Sequence, residues 1–326
     1  MDNLTHSLVG LFLARAGFKS ATPRGTAILI LAANAPDLDI VSWLGGPVLY
    51  IQWHRHVTHS LLFIPLMALL TVAIVRLAGH LPVRWLPAWL IAMLGVASHL
   101  LLDLTNVYGV RLLLPFSGRW FHWDITPIID LSIWVILFLG IAAPLLAGLV
   151  GSEIGEKKQA GNAGWAVTAL LLLASYDYGR SVLHDRAATQ VDNHRYNGLT
   201  PRRSAAFPTA NPLLWTGTAE LSNAYAQGPV DLRGNFHVAD MELYYKARRT
   251  PAITAALHVL PFQRFLEFVQ YPLWVTEPDM QKNTRVRLLD LRFGNPRQQG
   301  FASAALVSET SQVLESSFGM GGIRPR

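Results

Sequence analysis

Four apolar stretches are of a length to cross a bilayer, which takes roughly 20 helical residues: SLLFIPLMALLTVAIVRLAG (60–79), RWLPAWLIAMLGVASHLLLDL (84–104), PIIDLSIWVILFLGIAAPLLAGLVG (127–151) and GWAVTALLLLASYDYG (164–179). Two shorter stretches, 4–17 and 25–36, precede them. Too short to span in comfort, these are expected to lie buried or re-entrant against the other helices, because exposed backbone groups find no partner in lipid. From about residue 184 the apolar runs shorten. Alternation appears in NFHVADMELYYKA, TRVRLLDLRFG and FASAALVSE, which predicts antiparallel strands, while TPAITAALHVL and PFQRFLEFVQ read as short helices beside them. The polar stretch HDRAATQVDNHRYNGLTPRRS reads as a linker, and the tail SSFGMGGIRPR is expected to be mobile. The predicted fold is an all-α transmembrane helical bundle over 1–183, with four clear spans plus two short N-terminal helices. An α+β extramembrane domain with an antiparallel sheet follows over 184–326.

Composition agrees with a membrane protein: of 326 residues 51% are hydrophobic and 15% charged, and the mean hydropathy is +0.29. Cysteine is absent, so any metal must be held by His, Asp or Glu. The net charge of +6 comes from Lys and Arg scattered singly, which predicts juxtamembrane anchoring and no nucleic-acid partner. The first segment, MDNLTHSLVGLFLARAG, has neither a basic start nor a cleavage site, and is expected to be retained structure.

Ionisable residues are expensive inside a membrane, so a cluster of them is a functional candidate. His6 lies in LTHSLVG, Asp37 and Asp39 in NAPDLDI, His54, His56 and His59 in HRHVTHS, and His99 and Asp103 in SHLLLDLTNVYG. His99 and Asp103 are spaced i,i+4, so both emerge from one helical face and can reach one ion or share a structural hydrogen bond. PDLD is either a ligand pair or a loop whose carboxylates cap backbone groups. His6 alone reads equally as a core histidine. His56 is expected to face away from His54 and His59, and Thr58 and Ser60 to cap the following helix.

Topology gathers these residues. The helix 60–79 departs from His59 and 84–104 returns with His99 and Asp103; likewise 4–17 departs from His6 and 25–36 returns to Asp37 and Asp39. All land on one membrane face. A His/Asp set without Cys suits zinc, manganese or iron, with zinc favoured, and two carboxylates could bridge a pair of ions. Arg15, Lys19, Arg24, Arg76, Arg84, Lys157 and Lys158 fall on the opposite turns, which by the positive-inside rule sets the cluster and the C-terminal domain on the extracytoplasmic side. Arg180, Arg186, Arg195, Arg202 and Arg203 run against that count, but long domains translocate largely regardless of charge.

In the connection NVYGVRLLLPFSGRWFHWDITPIID, Asn106, Tyr108 and Arg111 could bind an anion and Gly109 allows a tight turn. His122 and Asp124, beside Trp120 and Trp123, read as part of an interfacial aromatic belt. Asp130 is either a helix N-terminal carboxylate or a further group of the site.

THSLVG, NAPDLD, HRHVTHS and SHLLLDLTNVYG, in that order between apolar helices, resemble the membrane-bound metal-dependent hydrolase family typified by the bacterial inner-membrane protein YdjM. The resemblance covers about residues 1–150. It implies a bacterial inner-membrane location, distant similarity to the zinc-dependent phospholipase C and P1 nuclease group, and phosphoester hydrolysis with clustered zinc. It further implies that His6, Asp37, Asp39, His54, His59, His99 and Asp103 bind metal. His56 occupies a variable position of the family motif.

The expected activity is hydrolysis by metal-activated water, with Asp37 or Asp39 taking the proton and Arg55 holding phosphate. A site at the interface points to a lipid or lipid-linked phosphoester. No serine sits in the G-x-S-x-G setting of a nucleophile elbow. The alternative is a metal-stabilised scaffold or ion conduit whose C-terminal domain binds a partner. THSL occurs twice, at 5–8 and 58–61, but the flanking sequences diverge, and a site at helix ends argues against a conduction path.

Overall fold

Asp2 starts the first helix, α1 (Asn3–Arg15), by accepting from the Thr5 amide at 3.0 Å. The computed structural model describes residues 1–79, 82–153, 163–298 and 300–321. α2 (Gly25–Ala32) runs into a 3-10 segment, Ala35–Gly45, where Pro36 cannot continue an α-helix. Then come α3 (Pro47–Trp53), 3-10 turns at Val57–His59 and Leu61–Phe63, α4 (Ile64–Gly79), α5 (Trp85–Thr105), α6 (Leu131–Glu153) and α7 (Ala163–Asp192).

The chain folds as two units, Met1–Asp39 with Arg55–Asp185 and Pro208–Leu214, and Ile40–His54 with Arg186–Phe207 and Trp215–Arg326. In the first unit, small residues set the spacing of α1, α2 and α5. A Cβ on Gly10 would stand 2.8 Å from the Leu29 carbonyl oxygen, and one on Gly95 the same distance from the Ala32 methyl. Around that contact Ile28, Leu29, Met67, Val72, Ala92 and Val96 form one core, and Val9, Phe12, Leu102, Ile133, Leu137 and Ala169 form another. The outer faces carry leucines more than half exposed, Leu66 on α4, Leu86 on α5 and Leu139, Leu145 and Leu146 on α6, as surfaces against lipid must.

Three described helices are long and apolar enough to cross a membrane: Leu61–Gly79, Trp85–Thr105 and Leu131–Val150. A fourth crossing arises if Gly25–Ala32 and Ala35–Gly45, bent by 46°, form one span. The expected span at 164–179 is not among them: it is the first part of the 30-residue α7, whose Asp177 and Arg180 dilute the apolar run. The expected linker is also partly helix, since α7 continues to Asp192 with Ala187 and Val191 buried. Lys157 and Lys158 lie outside the described residues.

The second unit holds two four-stranded sheets. The first has the order β1 (Arg203–Pro208), β2 (Leu214–Glu220), β3 (Ala224–Asp231), β4 (Glu242–Tyr245). α8 (Pro251–Ala256), capped by Thr250, and α9 (Leu260–Leu266) lead to the second. It is an antiparallel meander of β5 (Pro272–Pro278), β6 (Thr284–Asp290), β7 (Phe301–Val307) and β8 (Val313–Met320). The tail expected to be mobile is strand over 316–320, paired with β7, and 322–326 lie outside the described residues. α3 packs against α9 and β8, so the short helix following Asp39 in sequence belongs to this unit. Burial pushes the Tyr196 hydroxyl up to about 12 and raises that of Tyr225 well above its ordinary value.

Candidate metal centre

Asp37 and Asp39 arrive on the 3-10 segment after α2, His59 ends the turn Val57–His59, and His99 and Asp103 come one turn apart near the end of α5. The i,i+4 pair shares a face as its spacing requires. His6, His59, His99 and Asp103 have no exposed surface, and Asp37 and Asp39 are buried.

Four atoms converge. His59 Nε2 lies 3.1 Å from His99 Nε2 and 3.4 Å from both Asp37 Oδ1 and Asp103 Oδ2; His99 Nε2 lies 3.6 Å from Asp37 Oδ1 and 3.4 Å from Asp103 Oδ2. Four ligands about 2.1 Å from one ion stand about 3.4 Å apart along tetrahedron edges, so the separations fit a metal of zinc's bond lengths. Among the described residues, Asp37, His59, His99 and Asp103 therefore form a group that could hold a metal ion.

Hydrogen bonds behind the ring nitrogens favour the same use. His99 Nδ1 is 2.7 Å from the Ala33 carbonyl, which can only accept, so the proton belongs on Nδ1 and the Nε2 lone pair faces the cluster. His59 Nδ1 is 3.3 Å from Asp39 Oδ2, which gives its Nε2 the same orientation. Asp37 Oδ1 and Asp103 Oδ2 are buried and accept no hydrogen bond, an arrangement that is costly without a cation.

Asp39 stands behind His59. Its Oδ2 accepts from the Arg55 amide at 2.8 Å and the Thr58 hydroxyl at 2.9 Å. His6 stacks on His99 with ring centroids 3.8 Å apart, its Nε2 3.4 Å from Asp103 Oδ1 and both ring nitrogens without a hydrogen bond. His54 closes α3 in the second unit, where its ring stacks on Tyr50 at 4.5 Å. His56 is half-buried and outside the four-residue group.

Arg55 is buried, in a left-handed conformation (φ 57°). Its guanidinium donates to Asp103 Oδ1 at 2.9 Å, Asn106 Oδ1 at 3.1 Å and the Gly109 carbonyl at 3.2 Å, above the Tyr108 ring. The α-amino group of Met1 also meets Asp103 Oδ1. One oxygen of Asp103 thus faces cations and the other faces the imidazoles. Asn106 Oδ1 also accepts from the Tyr108 amide at 2.8 Å, while Arg111 stacks on Trp120.

Two local expectations need correction, and one open alternative is decided. Thr58 turns its hydroxyl to Asp39, and Ser60 makes no side-chain cap: its hydroxyl is buried without a hydrogen bond, because the chain enters α4 through 3-10 turns. Asp124 is no member of an interfacial belt; it is buried, 2.8 Å from His122 Nδ1. Asp130 accepts from the amides of Ser132 and Ile133 and from the Tyr176 hydroxyl, so it is a helix N-terminal carboxylate. The Ala33 carbonyl escaped the sequence reading, although a helix end always leaves carbonyls to satisfy, and this one closes α2.

No solved structure matches the chain. An uncharacterized Bacillus subtilis protein, YfhP, is 22% identical over 327 residues, covering 98% of this chain and 95% of its own. The Escherichia coli inner membrane protein YbcI is 36% identical over 36% of this chain and 69% of its own length, and Bacillus subtilis YvsG, also uncharacterized, is 42% identical over 66 residues. The YdjM inner membrane protein pattern matches residues 1–183, more than half of the sequence, and together with the apolar helices this shows that the chain belongs to the YdjM inner membrane protein family.

Proposed function

We propose that this integral membrane protein is a metal-dependent hydrolase of a phosphoester carried by a lipid or lipid-linked molecule. Asp37, His59, His99 and Asp103 hold the ion, zinc by preference. The observation that carries the reading is the meeting of four lone-pair-bearing atoms at 3.1 to 3.6 Å, each imidazole turned inward by an acceptor on its far side. When bound, such an ion supplies Lewis acidity and an acidified water at neutral pH.

The chain's own residues provide the rest. Ala33 and Asp39 fix the two imidazoles, and Arg55 neutralises the far oxygen of Asp103. Asp39, the carboxylate that backs His59, would take the proton of the attacking water. His6 walls the site by stacking on His99. His54 is assigned to the ligand set as the family resemblance implies. The basic residues of the opposite turns support an extracytoplasmic site, with the C-terminal domain brought to the same face by a further crossing of α7.

Elemental analysis of the purified full chain, followed by assays on phospholipids, isoprenoid phosphates and nucleotides, tests this. About one or two transition-metal ions per chain is expected from the donor set, lost in His59→Ala and Asp103→Ala. Turnover of one substrate class by the wild type and not by those variants completes the expectation. A metal-free protein overturns the site, and metal without turnover favours a scaffold.

A further inference from the structure

Apart from the metal centre, the first unit contains a groove of about 960 Å³ between α1, α5 and α7, at the upper end of the roughly 300–1,000 Å³ typical of ligand sites. Leu94, Ala97, Ser98, Leu101 and Thr105 line it from α5. These recur at helical spacing on a different face from His99 and Asp103, so one helix serves two sites. From Leu94 to Thr105 the helix rises about 16 Å, half of a hydrocarbon core of roughly 30 Å. That is the depth of one leaflet.

The lining is graded along this depth. Toward the bilayer interior it is apolar, with Val9, Leu13, Leu94, Leu170 and Leu173, and exposed Ala97 and Ala174 leave the trough between the helices open. The titratable groups lie at the Thr105 end: His122, Asp177, Tyr178, His184 and Asp185. Asp177 Oδ1 is buried there and accepts no hydrogen bond. Among the described residues, neither lysine nor arginine lines the groove. Arg180, one turn on from Asp177, is buried outside the lining with its Nε on the Ile125 carbonyl at 2.7 Å, and His184 Nδ1 lies 3.2 Å from Asp185 Oδ1. An anionic head would therefore meet two carboxylates on the groove wall, whereas an ammonium head would find acceptors.

We propose that this groove is a lipid site, holding one acyl chain of an amine-headed zwitterionic phospholipid with its ammonium on Asp177 and Asp185. Length, grading of polarity and sign of charge all match that occupant. The proposal is independent of the ion, and of whether the bound lipid is a substrate.

The test is native mass spectrometry of the delipidated full chain in detergent, titrated with phosphatidylethanolamine or phosphatidylglycerol. One phosphatidylethanolamine per chain is expected, bound about tenfold more tightly than phosphatidylglycerol, the worth of one hydrogen bond to a charged group. Ala97→Phe and Ala174→Phe fill the trough from exposed positions and should each weaken binding at least about tenfold by excluding several methylenes. Asp177→Asn should remove most of the preference between heads while keeping chain binding. No stoichiometric adduct, equal binding by the filled variants, or preference for phosphatidylglycerol would overturn the proposal. So would a dimer whose cross-links pass through positions 97 and 174, which would identify a second copy as the occupant.

Discussion

His59 Nε2 and His99 Nε2 face each other at 3.1 Å with their protons held on the opposite nitrogens, by Asp39 and by the Ala33 carbonyl. Two lone pairs and two carboxylate oxygens thus point into one small volume, a repulsive arrangement that a divalent ion converts into a stabilising one. Binding to the folded state alone raises stability by mass action. Stripping the metal with a chelator should lower the melting temperature of the full chain in detergent by at least about 4 °C, given that 1 kcal/mol is worth roughly 2–4 °C in a chain of this order of size. Re-addition should restore it. An unchanged melting curve on chelation would count against the ion.

Asp37 and Asp39, two residues apart, have different jobs in this geometry, since only Asp37 reaches the four-atom group. Asp39→Asn keeps the shape and weakens the support behind His59, so metal affinity should fall roughly 10–100-fold with the fold intact. Asp37→Asn removes a donor and should abolish stoichiometric binding. Competition with a chelating dye distinguishes the two; equal losses would place both carboxylates on the ion.

Much of this was legible beforehand because it follows from helical spacing. His99 and Asp103 had to share a face, and the out-and-back course of the apolar segments had to bring them to His59, Asp37 and Asp39. The division of labour within PDLD was not legible, because a 3-10 segment turns successive carboxylates by an angle that depends on where Pro36 breaks the helix. Nor was Arg55: a guanidinium near a candidate site reads as an anion contact until its left-handed backbone is seen to send it to Asp103. In the C-terminal region, β4, β6 and β7 show alternation, whereas β1 (RSAAFP) and β8 (VLESSFGM) do not, because pairing partners and not pattern make them strands. Residues 40–54 group with that region because α3 packs on α9 and β8, which are far from it in sequence.

Arg55→Met is expected to act on stability before activity. Removing the guanidinium leaves the buried Asp103 short of a cation, and breaking a buried pair of this kind costs about 3–5 kcal/mol. Thermal unfolding reads the loss directly. If Arg55 were chiefly a substrate contact, the variant would melt like the wild type and show only a raised KM.

The second unit should be sensitive to alkali. Tyr196 and Tyr225 are buried and their hydroxyls are raised by desolvation, Tyr196 to about 12, so folding favours the neutral form. Stability from these groups is complete below the ordinary tyrosine value of about 10 and is lost as pH rises through the folded-state values. Tyrosinate absorbance should therefore develop partly in step with unfolding above about pH 10. Tyr196→Phe removes one such group and the hydroxyl's 2.8 Å bond to the Val191 carbonyl, and should shift the alkaline transition upward while lowering stability at neutral pH. A transition unmoved by that change would show that Tyr196 is not among the groups whose ionisation drives it.

The last expectation concerns a residue that touches no ion. Gly95 lets α5 lie against α2: a Cβ there would stand 2.8 Å from the Ala32 methyl and 3.2 Å from the Ala33 nitrogen. One turn along α5, His99 depends on the Ala33 carbonyl at 2.7 Å to keep its proton away from the metal side. Gly95→Val must therefore push α2 away, lengthen that hydrogen bond and free the imidazole to rotate or change tautomer. Metal affinity should fall by roughly the 10–100-fold typical of lost supporting hydrogen bonds, although every ligand is intact. Ala97→Val, two residues on and exposed, adds similar bulk to the same helix without touching α2, and should bind metal as the wild type does. The same loss in both variants would assign the effect to α5 itself and not to the Ala33 contact.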